Sequence, residues 1–151
     1  MRVFITGVSC VGKTSIGAIL ASRLGCRFYD LDVETERFFK TSIERLRNKF
    51  LTVESFRNEA IRVLMSILGN PESRNCVIAL PPSGLMGRYF RALKKAGGTI
   101  AVLTDKPENI LNRITFYDID SHPIEKQLTQ REKLLYLREI KKYITYLSKN
   151  L

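Results

Sequence analysis

The sequence predicts an α/β protein in which a short, mainly parallel sheet of about four strands is covered by helices on both faces. Three observations lead there. Four short apolar, β-rich runs alternate along the chain with stretches of helical period. Three of these runs end at Gly, Asp or Pro, residues that stop strands and begin turns. No Pro/Gly/Ser-rich linker, repeat or low-complexity tract divides the 151 residues, so a single domain over 1–151 is expected.

The elements follow in order. Arg2-Val-Phe-Ile-Thr6 is apolar and bounded by Gly7, as a buried strand should be. From Lys13 to Leu24, Ile16, Ile19, Leu20 and Leu24 recur at helical spacing, and Gly25 provides a stop. Cys26-Arg-Phe-Tyr-Asp30 reads as the second strand, with short helices predicted over 33–39 and 43–50. A longer helix is predicted over 52–68, with Phe56, Ile61, Leu64, Met65 and Leu68 as its apolar face. Asn75-Cys-Val-Ile-Ala-Leu80 is the third strand, ended by Pro81-Pro82. A helix over 85–96 stops at Gly97-Gly98, and Thr99-Ile-Ala-Val-Leu-Thr104 makes the fourth strand. Pro107 opens a further helix, residues 116–123 read as a loop, and a last helix is predicted over 125–148.

Composition excludes some classes. The chain has 44% hydrophobic and 26% charged residues, ordinary for a soluble globular protein long enough to bury a core. No apolar run reaches the length of a membrane span, and no cleavage signal follows the apolar start, so a cytoplasmic protein without membrane partners is expected. Cys10, Cys26 and Cys76 lack metal-ligand spacing, and their odd number fits reduced thiols. The net charge of +10 favours anionic ligands. Part of the excess lies near the C-terminus, where Arg131, Lys133, Arg138, Lys141, Lys142 and Lys149 face only Glu132 and Glu139. That stretch reads first as a solvated helix face.

The strongest signal is Gly7-Val8-Ser9-Cys10-Val11-Gly12-Lys13-Thr14, a G-x-x-x-x-G-K-T run between a predicted strand and a predicted helix, with Ser15 following. Glycines let the backbone curl so that successive N–H groups face one anion, and the helix N-terminus adds a favourable dipole. Lys13 would reach the β- and γ-phosphates of ATP, and the Thr14 hydroxyl would ligate Mg²⁺. Chance would produce such a run in roughly one chain of this length in a hundred. The fold expected is therefore the three-layer sandwich of the P-loop NTPases. Cys10 within the loop reads as a tolerated small residue.

Phe28-Tyr-Asp30-Leu-Asp32 places two carboxylates at a strand end, near the expected phosphate site and on the same side by alternation. One suits support of Mg²⁺ and the other acceptance of a hydroxyl proton. Both also suit helix capping.

Here the chain resembles the shikimate kinases, whose pattern joins this loop to F-x-D-x-D, a following S-I and an F-R on a later helix. Phe28, Asp30, Asp32, Ser42-Ile43 and Phe56-Arg57 match in order, within a resemblance covering about residues 1–138. The resemblance implies ATP-dependent phosphoryl transfer to a hydroxyl of a small, anionic acceptor. It implies Asp30 with Thr14 at Mg²⁺, Asp32 at the acceptor hydroxyl as base, and Arg57 on the acceptor carboxylate. Arg138 best matches a second carboxylate-binding arginine, with its spacing displaced.

Four departures modify what is carried over. The family's Gly-Gly-Gly after the third strand is here Leu80-Pro81-Pro82-Ser83-Gly84, so two backbone donors are lost, and Ser83 is the candidate to restore one. The family's lid arginine before proline is His122 before Pro123, in a short lid at about 115–124. Arg113, just before the lid, remains as a phosphate-binding cation. No fifth strand follows the last helix, which implies a weaker hold on adenine and leaves ATP against GTP open. A small-molecule kinase is the expected function. The alternatives are a nucleotide-binding homologue with a regulatory or interaction role, and a basic nucleic-acid binder, which lacks any recognised motif.

Overall fold

The computed structural model describes residues 1–82 and 84–150. Four parallel strands form its main sheet: β1 (Arg2–Thr6), β2 (Arg27–Asp30), β3 (Cys76–Ala79) and β4 (Thr99–Val102), in the spatial order β2-β3-β1-β4. Phe4 lies between Ile78 and Ile100 in this register, so the opening strand is central. Central parallel strands are buried on both faces, which is why β1 and β3 are continuous apolar runs.

One face carries α1 (Lys13–Leu24), packed on Val3, Ile5 and Val77. The contact is made by its small residues, Gly17 and Ala21. A Cβ at Gly17 would stand 2.5 Å from the Phe28 ring, so only glycine lets helix and strand approach this closely. The helix expected from Ile16, Ile19 and Leu24 is present, but these three side chains are exposed, because the helix turns its smaller face to the sheet.

The other face carries α4 (Val53–Gly69), α5 (Gly87–Ala96), α6 (Pro107–Asn112) and α7 (Gln130–Lys149) around Phe4 and Ile78. On α4 the buried stripe is Ala60, Ile61, Val63, Leu64 and Ile67. Met65, expected on that stripe, is exposed, since Ala60, Val63 and Ile67 carry the true 3–4 spacing. Between β2 and α4 run α2 (Leu31–Phe39) and α3 (Ile43–Arg47), and a 3₁₀ turn over Pro71–Arg74 precedes β3. The turn begins at Asn70, whose side chain caps it ahead of Pro71.

Two departures from expectation are the largest. Residues 116–123, expected as a loop, contain most of an antiparallel ribbon, β5 (Phe116–Tyr117) with β6 (Pro123–Ile124). Its tip is built by Asp118, whose Oδ1 accepts the backbone N–H groups of Asp120 and His122 at 2.9 Å each. The last helix begins at Gln130, not near 125, because Thr129 caps it: its hydroxyl accepts the Glu132 N–H and lies 3.2 Å from the Glu132 carboxylate. No helix among the described residues is long and apolar enough to cross a membrane.

At the amino ends of the strands Arg2 ties three elements together. Its guanidinium donates to the carbonyls of Leu68, Ser73 and Ala96 at 2.9–3.2 Å. These half-buried, charge-assisted bonds lie about 15 Å from the loop that follows β1. Arg2→Met is expected to cost about 2–3 kcal/mol and to lower Tm by about 5–10 °C. Calorimetric melting checks this, with nucleotide affinity unchanged.

Candidate functional site: a glycine-rich loop beside a two-arginine cavity

The carboxyl ends of parallel strands are where ligands bind in open α/β sheets, because loops and helix N-termini converge there. β1 ends at Thr6, and the loop from Gly7 to Gly12 leads into α1. Val8 and Val11 are buried and anchor the loop to the core, while Ser9 stays exposed. Gly7 has φ +151°, and a Cβ there would stand 2.7 Å from the Leu103 carbonyl oxygen. Gly12 has φ +104° and Cys10 φ +62°. The loop thus needs positive φ where glycine supplies it, and bears it once at Cys10. The first-turn N–H groups of α1, from Lys13 to Ser15, have no intrahelical acceptor and are available to an anion.

Lys13 turns back on this loop. Its ammonium donates to the carbonyls of Gly7 at 3.0 Å and Val8 at 2.8 Å. Burial lowers its proton affinity, against the opposing pull of Asp32, Cys10 and Asp30. Thr14 donates its hydroxyl to Asp30 Oδ2 at 2.5 Å. The other Asp30 oxygen accepts the N–H groups of Asp32 and Val33, so Asp30 is the N-cap of α2. Capping and a second role coexist in Asp30 because its two oxygens face different partners. The Thr14 oxygen and Asp30 fit a hard cation such as Mg²⁺, which takes one or two protein oxygens and completes its shell with phosphates and water. No larger cluster of His, Cys, Asp or Glu occurs among the described residues, and such a site needs none.

Arg113, at the C-terminal end of α6, reaches the same loop. Its Nε donates to the Cys10 carbonyl at 3.0 Å and a terminal nitrogen meets Asp105 Oδ2 at 2.8 Å. Hydrogen bonds from Asn109, Arg113 and the Lys106 backbone hold the Asp105 carboxyl at about 2, well below the usual range. With five N–H donors, the Arg113 guanidinium keeps three for a ligand.

Beside the loop opens a cavity of about 450 Å³. Asp32, Arg47 and Arg57 supply its charge, and Pro81, Pro82 and Phe56 supply apolar wall. Tyr89 from α5 and Tyr143 from α7 close it, with Thr35, Val53, Ala60 and Met86 between them. Burial raises the proton affinity of the Asp32 carboxyl, and the neighbouring Asp30 charge raises it further. Arg47, Lys13 and Glu36 act on it more weakly, the first two in the opposite direction. Burial also raises both tyrosine phenols, which therefore stay protonated hydrogen-bond donors. The Arg57 Nε and the Tyr143 hydroxyl are buried without a hydrogen-bond partner among the described residues.

The cavity thus gathers Asp32 and Arg57, two residues expected from the sequence. Arg138 is exposed on α7 and is not among the lining residues, and α7 contributes Tyr143 instead. Ser83 lies outside the described residues. His122, with a side chain 75% exposed, lies 3.4 Å from Asp118 within the ribbon. The ribbon is fixed to α3 by Arg45, 2.7 Å from Asp120, and by the Ser42 hydroxyl donating to the Ile119 carbonyl. Arg47, Tyr89, Tyr143 and Asp105 were not singled out by sequence reasoning. Only Asp105 left a usable signal, a carboxylate just past the end of β4.

The sheet order, and a glycine-rich loop carrying Lys13 and Thr14 into α1, define a P-loop NTPase α/β fold. Comparison with known proteins narrows this. The family described as shikimate kinase matches residues 9–149. A shikimate kinase of Chlorobium phaeobacteroides is 32% identical over 144 residues, which is 94% of this chain and 67% of that protein. The crystal structure of Aquifex aeolicus shikimate kinase superposes with TM-score 0.69 at 26% identity, over 96% of this chain and 83% of that one. Acinetobacter baumannii shikimate kinase, solved in complex with shikimate, gives TM-score 0.69 at 25% identity, over 93% and 74%. The chain belongs to the shikimate kinase family. It spans roughly half to two thirds of the length of the curated relatives it matches first.

Proposed function

We propose that the protein transfers the γ-phosphoryl group of ATP to a hydroxyl of a small, anionic acceptor held in the cavity. The observation that carries this reading is the position of Asp32. It lines the cavity, and the charges of Lys13 and Asp30 both act on its proton affinity. A carboxylate at that boundary can orient an acceptor hydroxyl and take its proton as the phosphoryl group arrives.

The other roles follow from partners. Lys13 exchanges its two carbonyl bonds for phosphate oxygens and stabilises charge on the transferring group. Thr14, by donating its proton to Asp30, keeps its oxygen lone pairs free for a cation. Mg²⁺ bound there supplies charge neutralisation of the β- and γ-phosphates. Arg113 offers its spare donors at the loop edge. Arg57, whose Nε has no partner among the described residues, offers its guanidinium to the acceptor's acidic group, a fork that suits carboxylate.

The test is ADP release coupled to product detection, with MgATP and MgGTP against shikimate and a panel of hydroxy acids, sugars and nucleosides. Phosphorylation of an acidic hydroxyl compound is expected. Nucleotide binding without transfer to any member of the panel would overturn the reading in favour of a regulatory homologue.

The ribbon supplies a further expectation. His122 is the residue before Pro123, where a permanent cation would add to phosphate stabilisation. His122→Arg is expected to raise kcat by about tenfold. An unchanged or lower kcat removes the ribbon from the transfer step.

A further inference from the structure

The cavity has a charge excess that the proposed roles leave unused. Its lining carries one carboxylate, Asp32, and two guanidinium groups, Arg47 and Arg57. Arg57 comes from α4, half-buried among Phe56, Ala60 and the tyrosines. Arg47 comes from the last turn of α3 and stands at the rim, its side chain 47% exposed and its guanidinium 5.5 Å from the centre of the Phe56 ring. That stacking ties Arg47 to Phe56, the residue before Arg57, and all three line the cavity. Its ionic partner, Glu44, is one turn back at 3.4 Å, an exposed i,i+3 pair too weak to hold the guanidinium against a better acceptor.

Two donors on lining residues are left open. The Arg57 Nε and the Tyr143 hydroxyl are buried with no partner among the described residues, an arrangement that costs free energy unless a ligand completes it. The walls contribute little that competes. Pro81 and Pro82 donate no N–H, and Phe56, Val53 and Met86 are apolar. Among the described residues the lining therefore offers a net charge of +1, guanidinium and phenol donors, and Asp32 as its one carboxylate.

We propose that Arg47 is a specificity-determining residue of the acceptor site, sharing with Arg57 the recognition of a single carboxylate on a hydroxylated acceptor. This rests on the kinase reading for the hydroxyl but not for the carboxylate. One acid group balances the pair, and Asp32 is left for the hydroxyl. In this arrangement the second cation comes from α3, whereas α7, which carries the exposed Arg138, supplies the neutral Tyr143.

The experiment uses the full chain and calorimetric titration with shikimate, a hydroxylated carboxylate, and with its methyl ester, both with and without MgATP. Wild-type protein is expected to bind the acid and to bind the ester far more weakly. Arg47→Leu should weaken acid binding roughly 10- to 100-fold, leave the ester and MgATP affinities unchanged, and melt within a few degrees of wild type. Arg47→Lys should recover part of the loss, since it returns the charge without the planar fork. Quinate, a saturated relative of the same acid, serves as a second probe should shikimate be rejected on shape.

Acid binding within twofold of wild type in Arg47→Leu would overturn the proposal, as would equal affinity for acid and ester, or no binding of either acid by wild type. ADP release measured separately judges the kinase reading. Acid binding that depends on Arg47 without any transfer would sustain this inference and sink that one.

Discussion

Lys13→Ala is expected to lower kcat by about 10³-fold, the scale of losing one preorganised cation or donor at a developing charge. The side chain has no other work. Its two bonds go to the loop's own carbonyls, Gly7 and Val8, and its burial lowers its proton affinity. A half-buried ammonium bonded to backbone carbonyls is poised to exchange them for phosphate oxygens. Nucleotide affinity should fall as well, because the ground state shares that contact. Rapid-mixing kinetics with MgATP and the best acceptor of the panel separate the two effects. A loss in affinity with an unchanged rate of the chemical step would restrict Lys13 to binding.

Asp32→Asn should cost a comparable factor, about 10³, with nucleotide affinity preserved. Its effect on stability has the opposite sign. Burial raises the Asp32 proton affinity above that in the unfolded chain, so the ionised carboxylate is a burden on the fold. Below the unfolded value of 3.8 the carboxyl is protonated in both states and the burden is absent. It grows as pH rises from there through the raised folded value, and is complete above it. Asp32→Asn should therefore melt higher than wild type at neutral pH in metal-free buffer, with the difference vanishing in acid. Melting curves from pH 3 to 8 check this. A variant less stable than wild type at pH 7 would mean that Arg47 and Lys13 outweigh burial.

Much of this architecture was legible because parallel strands announce themselves as apolar runs. Arg2–Thr6 and Cys76–Ala79 are buried on both faces, so composition alone reveals them. The loop was legible for a chemical reason: a lysine and a threonine after glycine at fixed spacing serve a polyphosphate and little else. The strand-end pattern located Asp30 and Asp32 and the resemblance located Arg57, and the structure sets the latter two on one cavity.

What stayed hidden depended on packing between distant elements. Nothing local to Arg47 distinguishes it from Arg45, yet one faces the cavity and the other binds Asp120. Tyr143 sits in a helix whose basic residues drew the eye to charge, while its neutral phenol is the group that reaches the cavity. The exposed face of α1 was misleading for a related reason. Hydrophobicity alone favours Ile16 and Ile19, but the Phe28 ring leaves room only for Gly17. The start of α7 could have been read directly, since Thr129 with Glu132 three residues on is the T-x-x-E spacing that opens a helix, and Thr129 caps it.

Phosphoryl transfer depends first on a polyphosphate settling into the loop between Gly7 and Thr14. Isothermal titration with MgATP, repeated in the presence of pyrophosphate, measures that directly. One equivalent of nucleotide should bind, displaced competitively by pyrophosphate and lost or greatly weakened in Lys13→Ala. Absence of heat at millimolar MgATP and MgGTP, or binding that pyrophosphate does not displace, would contradict it.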